Sequence, residues 1–203
     1  SGLATCGADD EAPYLAQILN LGPARLGELG AMEPALLYQA IANDGVRIPP
    51  RIIKSTIAAD GSRVDEPRQN GIRVVSPETA RTVRGMLRAV VQHDPMGYQQ
   101  GTGPAAAVEG YQIAGKTGTA QQINPACGCY YSDVYWIAFA GTALADDPRY
   151  VIGIMMDNPQ RNADGSAGHS AAPLFHNIAS WLLQRENVPL SADPGAPLTL
   201  QAT

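Results

Sequence analysis

Two apolar runs, each too short for a buried helix and parted by a compact turn, most constrain what this chain can fold into. Val134 to Ala140 and Tyr150 to Met156 are rich in β-branched and aromatic side chains, with Ala145-Asp146-Asp147-Pro148 between them. Short apolar runs bounded by turn residues form strands, and two in succession form an antiparallel hairpin. Both carry enough apolar side chains to be buried on two faces. A third strand candidate, Tyr111 to Gln122, precedes them and is interrupted by Gly115 and Gly118.

Helices flank this pattern. Ser76 suits an N-cap, Pro77 the first helical position, and Glu78 the positive end of the helix dipole. Val83, Met86, Leu87, Val90 and Val91 follow at helical spacing and predict an apolar face. Pro34 opens an earlier helix, with Leu36, Leu37, Ala40 and Ile41 on one face, and Asn43-Asp44-Gly45 ends it. Pro49-Pro50 imposes extended backbone, and Arg51 to Val64 forms a hairpin turning at Ala59-Asp60-Gly61. A final helix follows the polar loop from Asn158 to Gly168, with Leu174, Phe175, Ile178 and Leu182 on its inner face.

The expected architecture is therefore α/β in the α+β sense: an antiparallel sheet with helices against it. Helical pieces fit Ala12 to Leu21, but Gly22, Pro23, Gly27 and Gly30 interrupt them. The chain divides into an unplaced segment (1–30), a folded body (31–188) and a Pro-rich tail (189–203) that is expected to be loose.

Composition removes several function classes. The net charge is −5, the only lysines are Lys54 and Lys116, and the twelve arginines are scattered, which argues against a nucleic-acid surface. No apolar run approaches the roughly 20 residues of a spanning helix, and no leader pattern opens the chain. A membrane anchor, if the parent protein has one, is expected outside this sequence.

Cys127-Gly128-Cys129 can be a local disulfide, half of a metal site or two free thiols. Structural zinc needs four ligands, and Cys6 does not supply a second pair. Gln160, Asn162, Asp164 and Gly165 are spaced like a calcium loop, but its closing glutamate position holds Ala171. His169 and His176 fit a loop residue and a helix residue. No metal and no cofactor are expected.

One segment carries chemistry: Gly115-Lys116-Thr117-Gly118-Thr119-Ala120. With Gly110 it spells G-x-x-x-x-G-K-T, formally a phosphate-binding loop. Such a loop must hand over to a helix whose N–H groups face the phosphates. Here Gly118 would sit in the first turn and Pro125 would follow within ten residues. The other reading is K-T-G on a strand, a signature of serine penicillin-binding proteins and β-lactamases. A period of two sends Lys116 and Gly118 to one face and Thr117 and Thr119 to the other. A glycine lets ligand backbone approach, an edge strand can pair with an extended peptide, and lysine and hydroxyls can hold a carboxylate. The bland alternative is a surface strand with an exposed lysine.

The flanking text resembles class B penicillin-binding proteins. Tyr38 to Pro50 (YQAIANDGVRIPP) is similar to the helix and turn that precede K-T-G in that family. Gly101-Thr102-Gly103, the run Ile113 to Gln121, Trp136 to Gly141, Tyr150 to Asp157 and Ala171 to Phe175 follow in the family's order. The wording is similar to the cell-division transpeptidases of mycobacteria and their actinobacterial relatives, over residues 30–203.

The resemblance implies part of a transpeptidase fold of penicillin-binding/β-lactamase type, on the extracytoplasmic side of the membrane. The family's serine attacks a D-alanine carbonyl of a peptidoglycan stem peptide, and β-lactams trap that serine. Divisome proteins are possible partners. By resemblance Lys116 would be the catalytic-network residue, Thr117 and Thr119 would bind the substrate carboxylate, and Gly118 would keep the strand clear. The Thr119 N–H would be an oxyanion donor.

The sequence departs from the family pattern in two respects: it has neither S-x-x-K nor S-x-N. S-x-x-K would need serine at 51 or 113, which are Arg51 and Ile113, and no asparagine has serine two positions before it. Ser132, Ser166 and Ser170 have no lysine partner, and Ser170 has only the adjacent His169. The expectation is a fragment that carries the substrate-binding strand without its nucleophile and is inactive alone. The alternatives are a non-catalytic muropeptide- or divisome-binding module on the same scaffold, or a P-loop nucleotide binder.

Overall fold

The computed structural model describes residues 32–51, 53–159, 166–193 and 198. The expected pieces in 1–30 and the calcium-like residues 160–165 lie outside them. Among the described residues, three helices and seven strands run in the order α1 (Met32–Ala42), β1 (Val46–Arg47), β2 (Ser55–Ile57), β3 (Arg63–Asp65), β4 (Ile72–Arg73), α2 (Pro77–Arg88), β5 (Ile113–Asn124), β6 (Cys129–Ala143), β7 (Tyr150–Asp157) and α3 (Ala171–Arg185). Short 3-10 turns occupy Ala89–Val91, Pro104–Ala106 and Ala167–His169.

β5, β6 and β7 form an antiparallel meander in that spatial order. Opposed residues share a face, so the pairings Thr117↔Phe139↔Ile154 and Ile113↔Ala143↔Tyr150 define one side of the sheet. That side is the core. Ile113, Ile137, Phe139, Ile152 and Ile154 meet Ala171, Ala172, Phe175, Ala179 and Leu183 of α3. The rings of Phe139 and Phe175 tilt together with centroids 4.7 Å apart, a geometry that suits aromatic quadrupoles. α1 also contacts β6 and β7, but its buried Ala40 and Ile41 stand outside that cluster. Tyr38 on α1 is half-buried, and burial pushes its phenol up to about 12.

Local chemistry explains most boundaries. Ser76 caps α2 by accepting from the Thr79 N–H at 3.1 Å, with Pro77 at the first position. α1 ends where Asp44 and Gly45 both take positive φ. A side chain on Gly45 would run into the Val75 carbonyl. β2 and β3 form the expected hairpin, turning where Gly61 has φ +83°.

Several expectations need correction. β6 begins at Cys129, because the hairpin continues through polar residues that give no apolar signal. Neither β6 nor β7 is buried on both faces throughout: Val151, Gly153 and Met155 alternate with buried Ile152 and Ile154. Leu174 is 40% exposed, not inward, since α3 turns the row Ala172, Phe175, Ala179 and Leu183 to the sheet. Met86 is exposed, while Ala80 and Arg84 are buried on α2. The described start of the tail is tied down. Ser191 N–H donates to the Gly110 carbonyl at 3.0 Å, and the Gln112 N–H donates to Ser191 Oγ at 3.0 Å.

Candidate functional site

Lys116, Thr117, Gly118 and Thr119 all lie in β5, fully extended and paired with Ala140, Phe139, Ala138 and Ile137. No helix opens at Lys116, so the phosphate-cradle reading has no helical N-terminus to use. β5 is one of the two outer strands of the three-stranded sheet. Along its outer side, alternate N–H and C=O groups have no strand partner among the described residues.

Two glycines of β5 differ in a telling way. A Cβ on Gly115 would lie 2.6 Å from the Phe139 ring and 2.8 Å from the Ala140 carbonyl oxygen, so the core itself requires glycine there. A Cβ on Gly118 would meet Ala138 Cβ at 3.4 Å, ordinary van der Waals contact. Nothing among the described residues requires glycine at 118.

The polar groups converge beside it. Lys116 Nζ donates to the Thr117 carbonyl at 3.0 Å and to Thr117 Oγ1 at 3.1 Å. Thr117 Oγ1 also lies 2.9 Å from Thr102 Oγ1. Lys116 and Thr119 are exposed, and Thr117 and Gly118 half-buried. A hydroxyl has one proton and two acceptor sites. The ammonium can only donate, so it takes one acceptor site on Thr117. If Thr102 donates into the second, the Thr117 proton must point outward, where it can serve an anion.

Thr102 is not among the site residues expected from sequence; its signal is the Gly101-Thr102-Gly103 segment, which carries the family resemblance without assigning a role. Its position is tightly held. The N–H groups of Gly101 and Gly103 donate to the Gln92 and Val90 carbonyls at 2.9 and 2.8 Å. A Cβ on Gly103 would lie 3.0 Å from the Phe139 ring and 3.1 Å from the Thr117 methyl, and one on Gly168 would lie 2.5 Å from the Thr102 carbonyl oxygen.

The candidates Ser166, His169 and Ser170 flank Gly168 and hydrogen-bond among themselves. Ser166 Oγ and His169 Nδ1 are 3.0 Å apart, and Ser170 Oγ donates to the Ser166 carbonyl. Cys127 and Cys129 form a disulfide, which settles the three options for that pair. No cluster of metal-ligating side chains occurs among the described residues. A groove of about 610 Å³ lies on the β2–β3 side, lined by Ile48, Pro49, Pro50, Ile53 and Pro67 among others. None of its lining residues belongs to β5, so its size does not make it the site.

Comparison with known proteins gives a consistent picture. Residues 28–180 match the family described as the penicillin binding protein transpeptidase domain. The chain is 79% identical over 172 residues to penicillin-binding protein PbpB of Mycolicibacterium smegmatis, covering 85% of this chain and 26% of that protein. It is 78% identical over 167 residues to PbpB of Mycobacterium tuberculosis, covering 82% of this chain and 25% of that protein. It therefore spans about a quarter of the length of these curated relatives. The crystal structure of penicillin binding protein 3 from Mycobacterium tuberculosis, complexed with ampicillin, superimposes with a TM-score of 0.77 at 78% identity. That match covers 83% of this chain and 37% of the other. No described helix is long and apolar enough to cross a membrane. With the family match across most of its length, this chain belongs to the transpeptidase domain family of penicillin-binding proteins.

Proposed function

We propose that this chain is the part of a peptidoglycan D,D-transpeptidase that receives the carboxylate end of a stem peptide, and of β-lactams, along β5. Lys116 supplies the positive potential and takes part in the proton network. Thr117 and Thr119 donate hydroxyls to the carboxylate, and the Thr119 N–H is an oxyanion donor. Gly118 leaves the strand open to ligand backbone. Thr102 belongs to the same group, because its hydroxyl can turn that of Thr117 toward the ligand. The parent enzyme would work on the extracytoplasmic side, where its polymer is.

The observation that carries this reading is the contrast at Gly118: an extended strand beside a lysine and two threonines keeps a glycine that its own fold does not need. With no S-x-x-K in the sequence, the chain by itself is expected to bind reversibly and not to acylate. Titration with acetyl-D-Ala-D-Ala, read by amide chemical shifts, should perturb residues 116–119 and fail for Lys116→Ala. Covalent labelling by a fluorescent penicillin should be absent. Robust labelling, or a titration that leaves 116–119 unmoved, would refute the reading.

A further inference from the structure

The Cys127–Cys129 disulfide sits at the tip of the β5–β6 hairpin, with both cysteines and the intervening Gly128 exposed. A cross-link stabilises by removing freedom from the unfolded chain, and the effect shrinks with the ring that it closes. Two residues of separation is close to the minimum, so global stability gains little from this bridge. Its position suggests a local role.

The ladder between β5 and β6 is broken near its outer end. Inside, Ile113 to Gln121 pair continuously with Ala143 to Tyr135. Then one residue of β5, Gln122, stands against four of β6, Tyr131 to Val134, before pairing resumes. Beyond that irregularity the outer hairpin has only two pairs, Ile123↔Tyr130 and Asn124↔Cys129. At the turn the Asn124 carbonyl accepts from the Cys127 and Gly128 N–H groups at 3.3 and 2.9 Å, and within the irregularity the Tyr135 hydroxyl donates to the Ser132 carbonyl at 3.0 Å. Ile123 and Tyr130 are 42% and 51% exposed and bring little burial. A two-stranded piece this short is marginal in water. The disulfide lies within the turn: it joins Cys127 to Cys129, the β6 residue that pairs with Asn124, and so fastens the turn to the last pair of the hairpin. Both sulfurs belong to exposed residues that a thiolate can reach.

We propose that Cys127 and Cys129 form a thiol-exchange site whose oxidation state sets the order of residues 123–134. In the step, a thiolate of a dithiol donor attacks one cysteine sulfur, forming a mixed disulfide and releasing the other cysteine as a thiolate. The donor's second thiol attacks the mixed disulfide, freeing the second cysteine and leaving the donor as its own disulfide. Two electrons and two protons pass to the cysteine pair, and an oxidised dithiol reverses the step. The oxidised hairpin end is closed; the reduced one opens while the ladder inside Gln121 and Tyr135 persists.

The test uses the full chain and dithiothreitol under native conditions, with site-resolved alkylation by mass spectrometry and amide hydrogen exchange. Both cysteines should alkylate without denaturant. Amides in 123–134 should then exchange at least tenfold faster, with 113–121 and 135–143 unchanged. The double variant Cys127→Ser, Cys129→Ser should show the fast pattern with or without the reductant. Three results would overturn the proposal: a bridge that yields only after denaturation, a reduced chain in which 123–134 keep their protection, or loss of protection throughout the sheet.

Discussion

Arg84 Nη1 lies 3.0 Å from Asp44 Oδ1, and through this contact a buried guanidinium on α2 closes the C-terminus of α1. The same nitrogen donates to the Ile41 and Ala42 carbonyls at 3.0 and 3.1 Å. Helix ends leave carbonyls without partners. Here a side chain from the next helix supplies the donors and so fixes how α1 and α2 meet.

Replacing Arg84 by methionine keeps much of the buried volume and removes those donors. Charge-assisted bonds to otherwise unpaired groups contribute roughly 2–3 kcal/mol. Urea unfolding of Arg84→Met should show a loss of about that size. A change within about 0.5 kcal/mol would mean that the arginine merely fills space.

The pair also predicts a pH dependence. Partial desolvation pushes the Asp44 carboxyl up, but hydrogen bonds and charge from Arg84 and Arg81 outweigh it and hold the group below the ordinary carboxylate range. A depressed folded-state value stabilises fully above the unfolded value of about 4 and is lost as pH falls through the folded value. Thermal midpoints should therefore be insensitive to this pair near neutrality and decline below roughly pH 4. Asp44→Asn should flatten part of that decline. An unaltered acid limb would assign the decline to other carboxylates, among them Asp94, which the Gln99 and Met96 N–H groups hold low.

Gly115 and Gly118 should respond oppositely to alanine. At 115 the new methyl meets the Phe139 ring and the Ala140 carbonyl, an overpacking that costs roughly 1–3 kcal/mol. At 118 the fold has room, so the midpoint should hold while affinity for acetyl-D-Ala-D-Ala drops. Equal effects on stability would remove the argument that 118 is kept open for a ligand.

Thr102→Val keeps shape and deletes one hydroxyl. If Thr102 donates to Thr117, its loss should weaken binding of the dipeptide carboxylate about tenfold, equivalent to about 1.4 kcal/mol. Binding of its C-terminal amide should change little, and Thr102→Ser should restore the carboxylate preference. If valine weakens both ligands alike, Thr102 acts through packing alone.

Much of this was legible along the chain, for identifiable reasons. Ser76-Pro77-Glu78 and Asn43-Asp44-Gly45 act through local geometry, so α2's start and α1's end stand where the text puts them. The extended path through Lys116 follows from Gly118 in what would be a first helical turn and Pro125 soon after, which together disfavour a helix opening at Lys116. What escaped depends on distant partners. Arg84 shows no sign in sequence that it will be buried, because its ligands are main-chain carbonyls some forty residues earlier. Thr102 meets Thr117 only after the chain has turned around Pro104–Ala106. Leu174 fits an apolar stripe as well as Ala172 does, and only the closeness of α3 to the sheet favours the smaller side chain.

The meander order of β5, β6 and β7 also bears on how the molecule comes together. Each strand pairs with its immediate successor, so the contacts that align Lys116 opposite Ala140 span only a short loop of chain. Close-range pairing costs little closure entropy and favours rapid assembly. The edge strand that carries Lys116 can therefore find its register with β6 before α3 arrives to cover the sheet.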